Sequence, residues 1–485
     1  MTVEELKELL LQVRTTKAES QTLEIKAAAL GCPKKLYDTL SSFSNQDDGG
    51  ILLFGVDESR DFAEVGVYDA QDLITHVTEQ CNQMSPLVRP IFTEIELDGK
   101  AFVSAEIPSL DVSERPCFYS GRGRLTGSYV RVGVADEPMT EYEVYSFKAF
   151  RKKYQDDVRT VERASLDVLD RIVLEDYLVK LRREKPNLAQ MNNEQILELM
   201  NITIGGIPTM AAVLLFSPYP QAYFPQLGIT AIVIPGVELG EVGAEGERFS
   251  DNKRIEGKIT DMLEGALNFV RTNMKTRTII DPQSGKRTDK PDYPMTAVRE
   301  AVLNALVHRD YSIHTEGMPI QLHIYEDRLE LRNPGGLYGR IRVDQLGKLQ
   351  PDTRTPVLAV AMEVLRETEN RYSGIPTMRR ELKLAGMTEP EFQDIRGGFT
   401  VCFRKSGVRS AQSEQPHGGD LLTFCKAPRS RREIADFLGL SSVHYVSQTH
   451  IAPLVERGLL SMTIPEKPRS SRQRYFTVEK QPPMA

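Results

Sequence analysis

The sequence has no tryptophan, and its five cysteines (Cys32, Cys81, Cys117, Cys402 and Cys425) show neither pairing nor C-x-x-C spacing. A disulfide framework and a cysteine-built zinc site are therefore excluded as organising principles, and a reducing, cytoplasmic setting is expected. Seven histidines are scattered without ligand-like neighbours. No apolar run approaches the roughly 18 residues that a membrane helix needs, so no membrane partner is expected. The opening stretch "MTVEELKELLLQVRTTKAES" is an acidic amphipathic helix rather than a basic segment before an apolar core, which excludes an ordinary secretory signal. The G-x-x-x-x-G-K-[ST] loop is absent as well, and with it a visible P-loop motor. There is no internal repeat.

What is present is a 485-residue chain, 40% hydrophobic and 27% charged, long enough for about three or four soluble domains. Its net charge of −7 argues against a protein coated uniformly by nucleic acid. That charge is uneven. From Leu421 to Ala485 ten Lys/Arg face five Asp/Glu, a net of +5 that leaves −12 for the rest. A basic module on an acidic body points to one localised anion-binding surface.

Periodicity and punctuation divide the chain. Residues 1–150 read as helix followed by strands such as "GGILLFGVDE", "GKAFVSAEIPS" and "GSYVRVG". Residues 151–290 read as a helical and strand connecting region. Residues 291–405 open with a helix and continue in strands, 406–419 form a polar linker, and 420–485 form a small helical module with a terminal hairpin.

That last module has the rhythm of a helix-turn-helix. A helix over about 430–438 precedes a turn at Gly439-Leu440-Ser441, and Ser441 or Ser442 caps a second helix. Ser442, His444, Tyr445, Gln448 and Thr449 then face outward, with Lys467, Arg469, Arg472 and Arg474 on a two-stranded wing. Such side chains meet base edges and phosphates; a winged helix used only for protein contacts is the alternative.

"REAVLNALVHRDYS" carries the densest chemistry. Glu300, Asn304 and His308 are four apart and line one helix face, against an apolar side of Ala301, Val302, Ala305 and Leu306. An Asn carbonyl plus nucleotide phosphates can hold Mg2+, and a carboxylate one turn earlier can polarise a water. Gly335, Gly336 and Gly374 permit close backbone approach. The bland alternative is a solvated polar face.

Longer stretches carry a resemblance. "PTMAAVLLFSPYPQAYFPQLGITAIVIPG", "YPMTAVREAVLNALVHRDYS", "EDRLELRNPGGL" and "GIPTMRRELKLAGMTEPEFQDIRGGFTVCF" resemble, in order, a prokaryotic family of ATP-binding proteins and transcriptional regulators, some labelled RecG-like helicases. The section 291–405 resembles a divergent GHKL ATPase fold. That resemblance implies ATP and Mg2+ as cofactors, Glu300 as a general base, Asn304 as a metal ligand, and Asn333 of "RNPGG" at the adenine side. The later loop, which usually reads G-x-G-I, is Tyr372-Ser373-Gly374-Ile375, a departure that counts against hydrolysis. His308 belongs to "HRDY", which the family shares; the motif assigns no task to it or to Asp310.

"ESQTLEIKAAALGCPKKLYDTLSSFSNQDDGGILLFGVDES" resembles the AlbA-like domain of these regulators and of Schlafen proteins, with matches at Glu19, Glu24, Lys26, Phe43, Asn45, Gly49, Gly50, Gly55, Val56 and Asp57. In RNA-cleaving Schlafen proteins three acids of this pattern hold a metal, which implies Glu19, Glu24 and Asp57 here, with Lys26 beside them. A structural charge network in a domain that binds without cutting is the alternative. Arg122, Arg124, Tyr129 and Arg131 form either a nucleic-acid face or ordinary strand surface.

The expectation is thus an α+β multidomain protein: an AlbA/Schlafen-like α/β domain, a central divergent GHKL-type α/β sandwich and a C-terminal winged helix-turn-helix. Its function would be that of an ATP-binding, DNA-binding regulator, homodimeric, in which nucleotide acts as a conformational effector. An ATP-gated, metal-dependent nuclease acting in phage defence is the alternative.

Overall fold

The computed structural model describes all residues except 244, 281–286, 366–372, 396, 406–420, 423, 439–450, 452–453, 456–458, 464–472 and 479–485. The chain divides into two compact units, Met1–Ser406 and Gly407–Ala485.

The first unit begins with α1 (Val3–Thr16). Thr2 caps it, and Glu5 returns the favour to the Thr2 N–H, closing a capping box. Leu6, Leu10 and Val13 form its buried stripe. The sheet that receives it has the order β1-β2-β4-β3, from β1 (Leu23–Lys26), β2 (Gly50–Phe54), β3 (Ile91–Leu97) and β4 (Lys100–Ile107). Only β1 and β2 run parallel. Alternation sorts the strand residues to two cores. Leu53 and Phe102 join α1, whereas Leu52, Phe54, Val103 and Ala105 join α2 (Tyr37–Asn45) and α3 (Ala70–Cys81).

Two motif residues have packing reasons. Asn45, at the end of α2, donates to the carbonyls of Cys117 (2.9 Å) and Tyr129 (3.1 Å) and accepts from the Cys117 N–H (2.6 Å). It thereby ties α2 to β5 (Tyr129–Val132), which pairs with β6 (Ala135–Pro138). At Gly50 a Cβ would lie 2.4 Å from the Phe43 ring. The Asp47–Gly50 run is a turn into a strand, as its residue types suggest.

α4 (Glu141–Lys152) leads into the second body. Its six-stranded sheet has the order β8-β7-β9-β10-β12-β11: β7 (Ile229–Val233), β8 (Asp251–Ile255), β9 (Ile320–Ile324), β10 (Arg328–Pro334), β11 (Glu391–Ile395) and β12 (Gly398–Arg404). All pairs are antiparallel except β7 with β9. One core joins this sheet to α5 (Arg171–Glu184), α6 (Met210–Phe216), α7 (Ile259–Asn273), α8 (Met295–His308), α9 (Pro356–Val364) and α10 (Gly374–Leu384). The division expected between 151–290 and 291–405 is therefore corrected. β7 hydrogen-bonds directly to β9, and the apolar faces of α6 and α7 have no separate core to fill. Sequence punctuation marks loops, and here a loop separates strands of one sheet.

The segment between α4 and α5 is pinned by Asp157, which is fully buried. One carboxylate oxygen accepts from the N–H groups of Val357 (2.8 Å) and Leu358 (3.1 Å), capping α9 from two hundred residues away. Its other oxygen has no hydrogen-bond partner.

In the second unit, β13 (Arg429–Ser430), α11 (Arg431–Leu438), β14 (Leu460–Met462) and β15 (Arg474–Thr477) are described, with sheet order β13-β15-β14. Ile434, Leu460, Ile451 and Tyr475 share its small core. The first helix and the hairpin lie where the sequence places them; the second helix of the expected winged helix falls outside the described residues.

Burial pushes the Asp157 carboxyl up to about 6, against the opposing Leu358 and Val357 N–H groups. The unfolded chain releases this proton near pH 4, the folded chain only near 6. Stability is thus expected to fall as pH rises through that window, by on the order of 3 kcal/mol. Asp157→Asn, which keeps an acceptor, should flatten the slope, and Asp157→Ala should cost about 1–2 kcal/mol at neutral pH. Denaturant midpoints across pH 4–7 check both.

Candidate functional site

α8 is buried around most of its circumference: Ala297, Val298, Ala301, Val302, Leu303, Ala305, Leu306 and Val307 are all in the core. A helix in that position tolerates polar side chains only where they meet a partner or a void. The void is a cavity of about 860 Å³, lined in part by Glu300, Asn304 and His308. Asn333, Gly335, Gly336 and Gly374 line it too. Seven residues separated by up to 74 positions thus converge on one space.

The glycines have specific tasks. A Cβ on Gly374, the first residue of α10, would lie 3.0 Å from Asn304 Nδ2 and 3.0 Å from Glu300 Oε2. Only a glycine lets the start of α10 close on α8 without moving those two groups. Gly335 has φ +98°, and a Cβ there would meet Asp310 Cβ at 2.5 Å.

The lining is divided by chemistry. Leu331, Val401, Met378, Phe392 and Phe399 supply apolar wall, the two phenyl rings stacked at 6.0 Å and 19°. Asn333 is almost fully buried, and its Oδ1 has no hydrogen-bond partner. His308 opens onto the cavity. Desolvation, reinforced by the neighbouring Arg354 charge, pushes its pKa down to about 4, so the ring is neutral at pH 7 with one donor and one acceptor nitrogen.

The remainder of "HRDY" packs behind the cavity lining, against Arg354 and the loop after α8. Arg309 is buried and donates to the carbonyls of Thr315 (2.9 Å) and Met318, fixing the loop after α8. The Tyr311 hydroxyl donates to the Leu306 carbonyl at 2.6 Å. Asp310 Oδ2 pairs with Arg354 Nη1 at 2.8 Å and accepts from the Tyr142 hydroxyl at 2.6 Å. Arg354 reaches on to the Gly336 carbonyl. Burial would raise the Asp310 carboxyl; Arg354, Tyr142 and the Ser312 N–H outweigh it and hold it below its ordinary value. Tyr142 and Arg354 carry no motif signal, and only the fold brings them to Asp310.

The N-terminal acids are arranged differently from a metal site. Glu24 is buried; one oxygen meets Arg131 Nη2 at 2.8 Å and the other meets Lys26 Nζ. Arg131 also meets Asp136 at 2.9 Å. Glu19 Oε1 accepts from the Ile25 N–H at 2.7 Å, and burial, with Glu24 nearby, raises its carboxyl despite that bond. Asp57 accepts from the Ser59 N–H (3.0 Å) and hydroxyl (2.6 Å), closing a local turn. Among the described residues no group of three or more His, Cys, Asp or Glu is placed to hold a metal ion.

Of the four residues considered for a nucleic-acid face, Arg131 and Tyr129 are buried. Those two are corrected: each sits inward on β5, Arg131 between two carboxylates. Arg122 is exposed and donates to the Tyr129 hydroxyl at 2.7 Å, and Arg124 lies 5.2 Å from the Phe118 ring. In the second unit Ser442, His444, Tyr445, Gln448, Thr449, Lys467, Arg469 and Arg472 lie outside the described residues. Arg474 is exposed and pairs with Glu433 at 3.4 Å. Among the described residues no helix is long and apolar enough to cross a membrane.

Comparison with known proteins assigns domains along this architecture. Residues 19–140 match the model "Schlafen, AlbA_2", 317–403 match "Putative ATP-dependent DNA helicase recG C-terminal", a HATPase-type domain, and 419–476 match "Filamentation induced by cAMP protein Fic-like, C-terminal domain". The chain thus carries a Schlafen AlbA_2 domain ahead of a RecG-type HATPase domain. Its last module matches a Fic-like C-terminal domain rather than a named winged helix. α8, with Glu300 and Asn304, lies just before the matched HATPase segment and joins it through the cavity. No curated protein matches the chain. Among solved structures, the DIP2311 protein of Corynebacterium diphtheriae is 17% identical over 94% of this chain and 93% of its own, with a TM-score of 0.40. The N-terminal domain of a RecG-related protein of Nitrosomonas europaea is 26% identical over 27% of this chain and 90% of its own, with a TM-score of 0.23.

Because Glu24 neutralises a buried guanidinium, Glu24→Ala should destabilise the fold by about 3 kcal/mol. Glu24→Gln, which keeps one acceptor, should cost less than half of that. Thermal or denaturant unfolding of the two variants checks the order.

Proposed function

From a chain that carries a Schlafen AlbA_2 domain ahead of a RecG-type HATPase domain, we propose an ATP- and nucleic-acid-binding regulator. Nucleotide acts in it as an effector of DNA binding. The observation that carries this reading is the single cavity that gathers Glu300, Asn304, His308, Asn333, Gly335, Gly336 and Gly374. Its volume suits a nucleotide. The orphan oxygen of Asn333 lies at its wall and its apolar side offers stacked rings. Its polar side presents an Asn and a Glu one turn apart, beside a helix start closed down by glycine.

Asn304 and the first turn of α10 are the groups that would hold the phosphates and Mg2+, and Asn333 is the group that would face the base. A bound nucleotide would supply a polyanion toward which α8, α10 and the loop after Gly335 present their polar groups. This chain's own residues do the discriminating. His308, neutral at pH 7, offers a donor without adding charge, and Glu300 stands one turn from Asn304 to orient a water. Effector action rather than turnover fits the altered Tyr372-Ser373-Gly374 loop.

Nucleic acid is assigned to the AlbA_2 domain and to the basic C-terminal module, read as a winged helix, and DNA is favoured over RNA. Supporting binding rather than cutting is Glu24, whose two oxygens meet Arg131 and Lys26. A cytoplasmic homodimer acting in transcription completes the proposal, since symmetric operators favour two-fold proteins.

Mg·ATP at about 100 times its Kd should stabilise the wild type by about 2.7 kcal/mol, seen as a rise in melting temperature. Asn304→Ala should abolish the rise while leaving the ligand-free melting temperature close to wild type. A wild type that melts identically with and without Mg·ATP defeats the proposal.

Removal of residues 407–485 offers a separate check. The first unit has its own cores, so ATP binding should persist. DNA affinity should fall and its salt dependence become shallower, because fewer phosphates are neutralised.

A further inference from the structure

α4 begins directly after the AlbA_2 match ends, and its first turn contacts Asp310, the partner of the cavity-lining Arg354. The Tyr142 hydroxyl donates to Asp310 Oδ2 at 2.6 Å, on the same oxygen that Arg354 Nη1 holds at 2.8 Å. Burial and the Asp310 carboxylate raise the Tyr142 phenol, which keeps it a donor. The Tyr142 ring also lies on Gly397, where a Cβ would come within 2.4 Å of it. The Gly397 carbonyl in turn accepts from the Gly335 N–H at 2.8 Å. One side chain therefore supports the Gly335–Gly336 wall by two routes, through Asp310 and Arg354 to the Gly336 carbonyl and through Gly397 to the Gly335 N–H.

A second set of contacts joins the loop after Gly336 to the same domain. Tyr338, which lines the cavity, packs edge-on against Phe150 of α4 at 5.4 Å. Arg340 lies 5.3 Å over that Phe150 ring and pairs with Asp111 at 3.2 Å. Arg342 pairs with Asp48 at 3.2 Å. At its N-terminal end, beside Tyr142, α4 follows directly on the β5–β6 hairpin, whose Asp136 holds Arg131 against Glu24.

We propose that Tyr142 is a positioning residue of the nucleotide cavity, through which occupancy of the cavity and nucleic-acid binding by the AlbA_2 domain are coupled. The coupling rests on the proposed ATP and nucleic-acid reading and adds the path that links its two halves. A ligand that draws in the Gly335–Gly336 wall changes what Asp310 and Gly397 present to Tyr142, and α4 carries that change to the hairpin. Linkage makes the effect reciprocal: nucleic acid changes ATP affinity by the same factor.

The test measures four dissociation constants on the full chain. Mg·ATP is titrated with and without a short DNA duplex, and the duplex with and without Mg·ATP. The wild type should show a coupling factor of about 5 or more. Tyr142→Phe removes only the hydroxyl, so the coupling factor should fall toward 1 whatever shift either ligand's own affinity shows. A merely structural role would lower both affinities or the melting temperature and leave their ratio intact. Asp48→Lys, on an exposed turn, sets a like charge against Arg342 and should reduce the factor in the same direction without touching the cavity. A factor unchanged in both variants overturns the inference, as does a wild type that binds both ligands independently, and in either case the binding assignments stand. If the wild type binds no Mg·ATP, the underlying reading falls and the inference falls with it.

Discussion

The constraint on which the rest depends is the burial of α8. Eight of its fourteen residues are core, so its polar side chains are confined to one stripe. A carboxylate, an amide and an imidazole cannot face a close-packed apolar interior at a cost the fold could bear. The cavity is the consequence. The sheet, α10 and the loop after β10 surround the stripe without filling the space over it, and the glycines at 335 and 374 set how closely they approach.

The C-terminal end of the helix meets a second demand. The two charges that follow it, Arg309 and Asp310, lie in the interior. Buried charges persist when each is paired and hydrogen-bonded. Arg309 donates from Nη2 to two carbonyls of the following loop, while its Nε has no partner. Asp310 collects Arg354, a tyrosine and a backbone N–H. Such a cluster is a weak source of net stability, since its desolvation cost is high. Its value lies in geometry: it fixes the position of Gly336 relative to α8 and to α4, parts of the chain that are not adjacent in sequence.

How much of this was legible in the sequence follows from the range of each interaction. The 300/304/308 stripe is local, because helical periodicity alone places it on one face. The alternation of Leu52, Leu53 and Phe54 between two cores is equally local. The AlbA_2 and HATPase domains were legible through ordered motifs. The union of residues 151–290 with 291–405 was not, because β7 pairs with β9 across more than eighty residues and no pattern in either strand names its partner. Arg131 was misplaced among surface candidates for a related reason. In a strand its position reads as one of two faces, and only the presence of Glu24 and Asp136 makes the inward face tolerable for a guanidinium. Tyr142 and Arg354 had no local signature at all; their meaning arises from Asp310, more than 160 residues from the first and 44 from the second.

Charge bears on the form that the proposed link between the two ligands takes. Nucleotide and nucleic acid are both polyanions, and residues 1–420 together carry −12 before either arrives. Direct electrostatic communication would be purely repulsive. It would also be weak, because fields at physiological ionic strength decay over about 8 Å while a helix with its side chains is already about 10 Å across. A positive effect of one polyanion on the other must therefore come from differential packing in two conformations rather than from charge. The wall formed by Gly335 and Gly336 suits that role. It is held from one side by α8, through Asp310 and Arg354, and from the other by α4, through Tyr142 and Gly397. An element held from both sides in this way cannot move toward a ligand without altering one set of contacts.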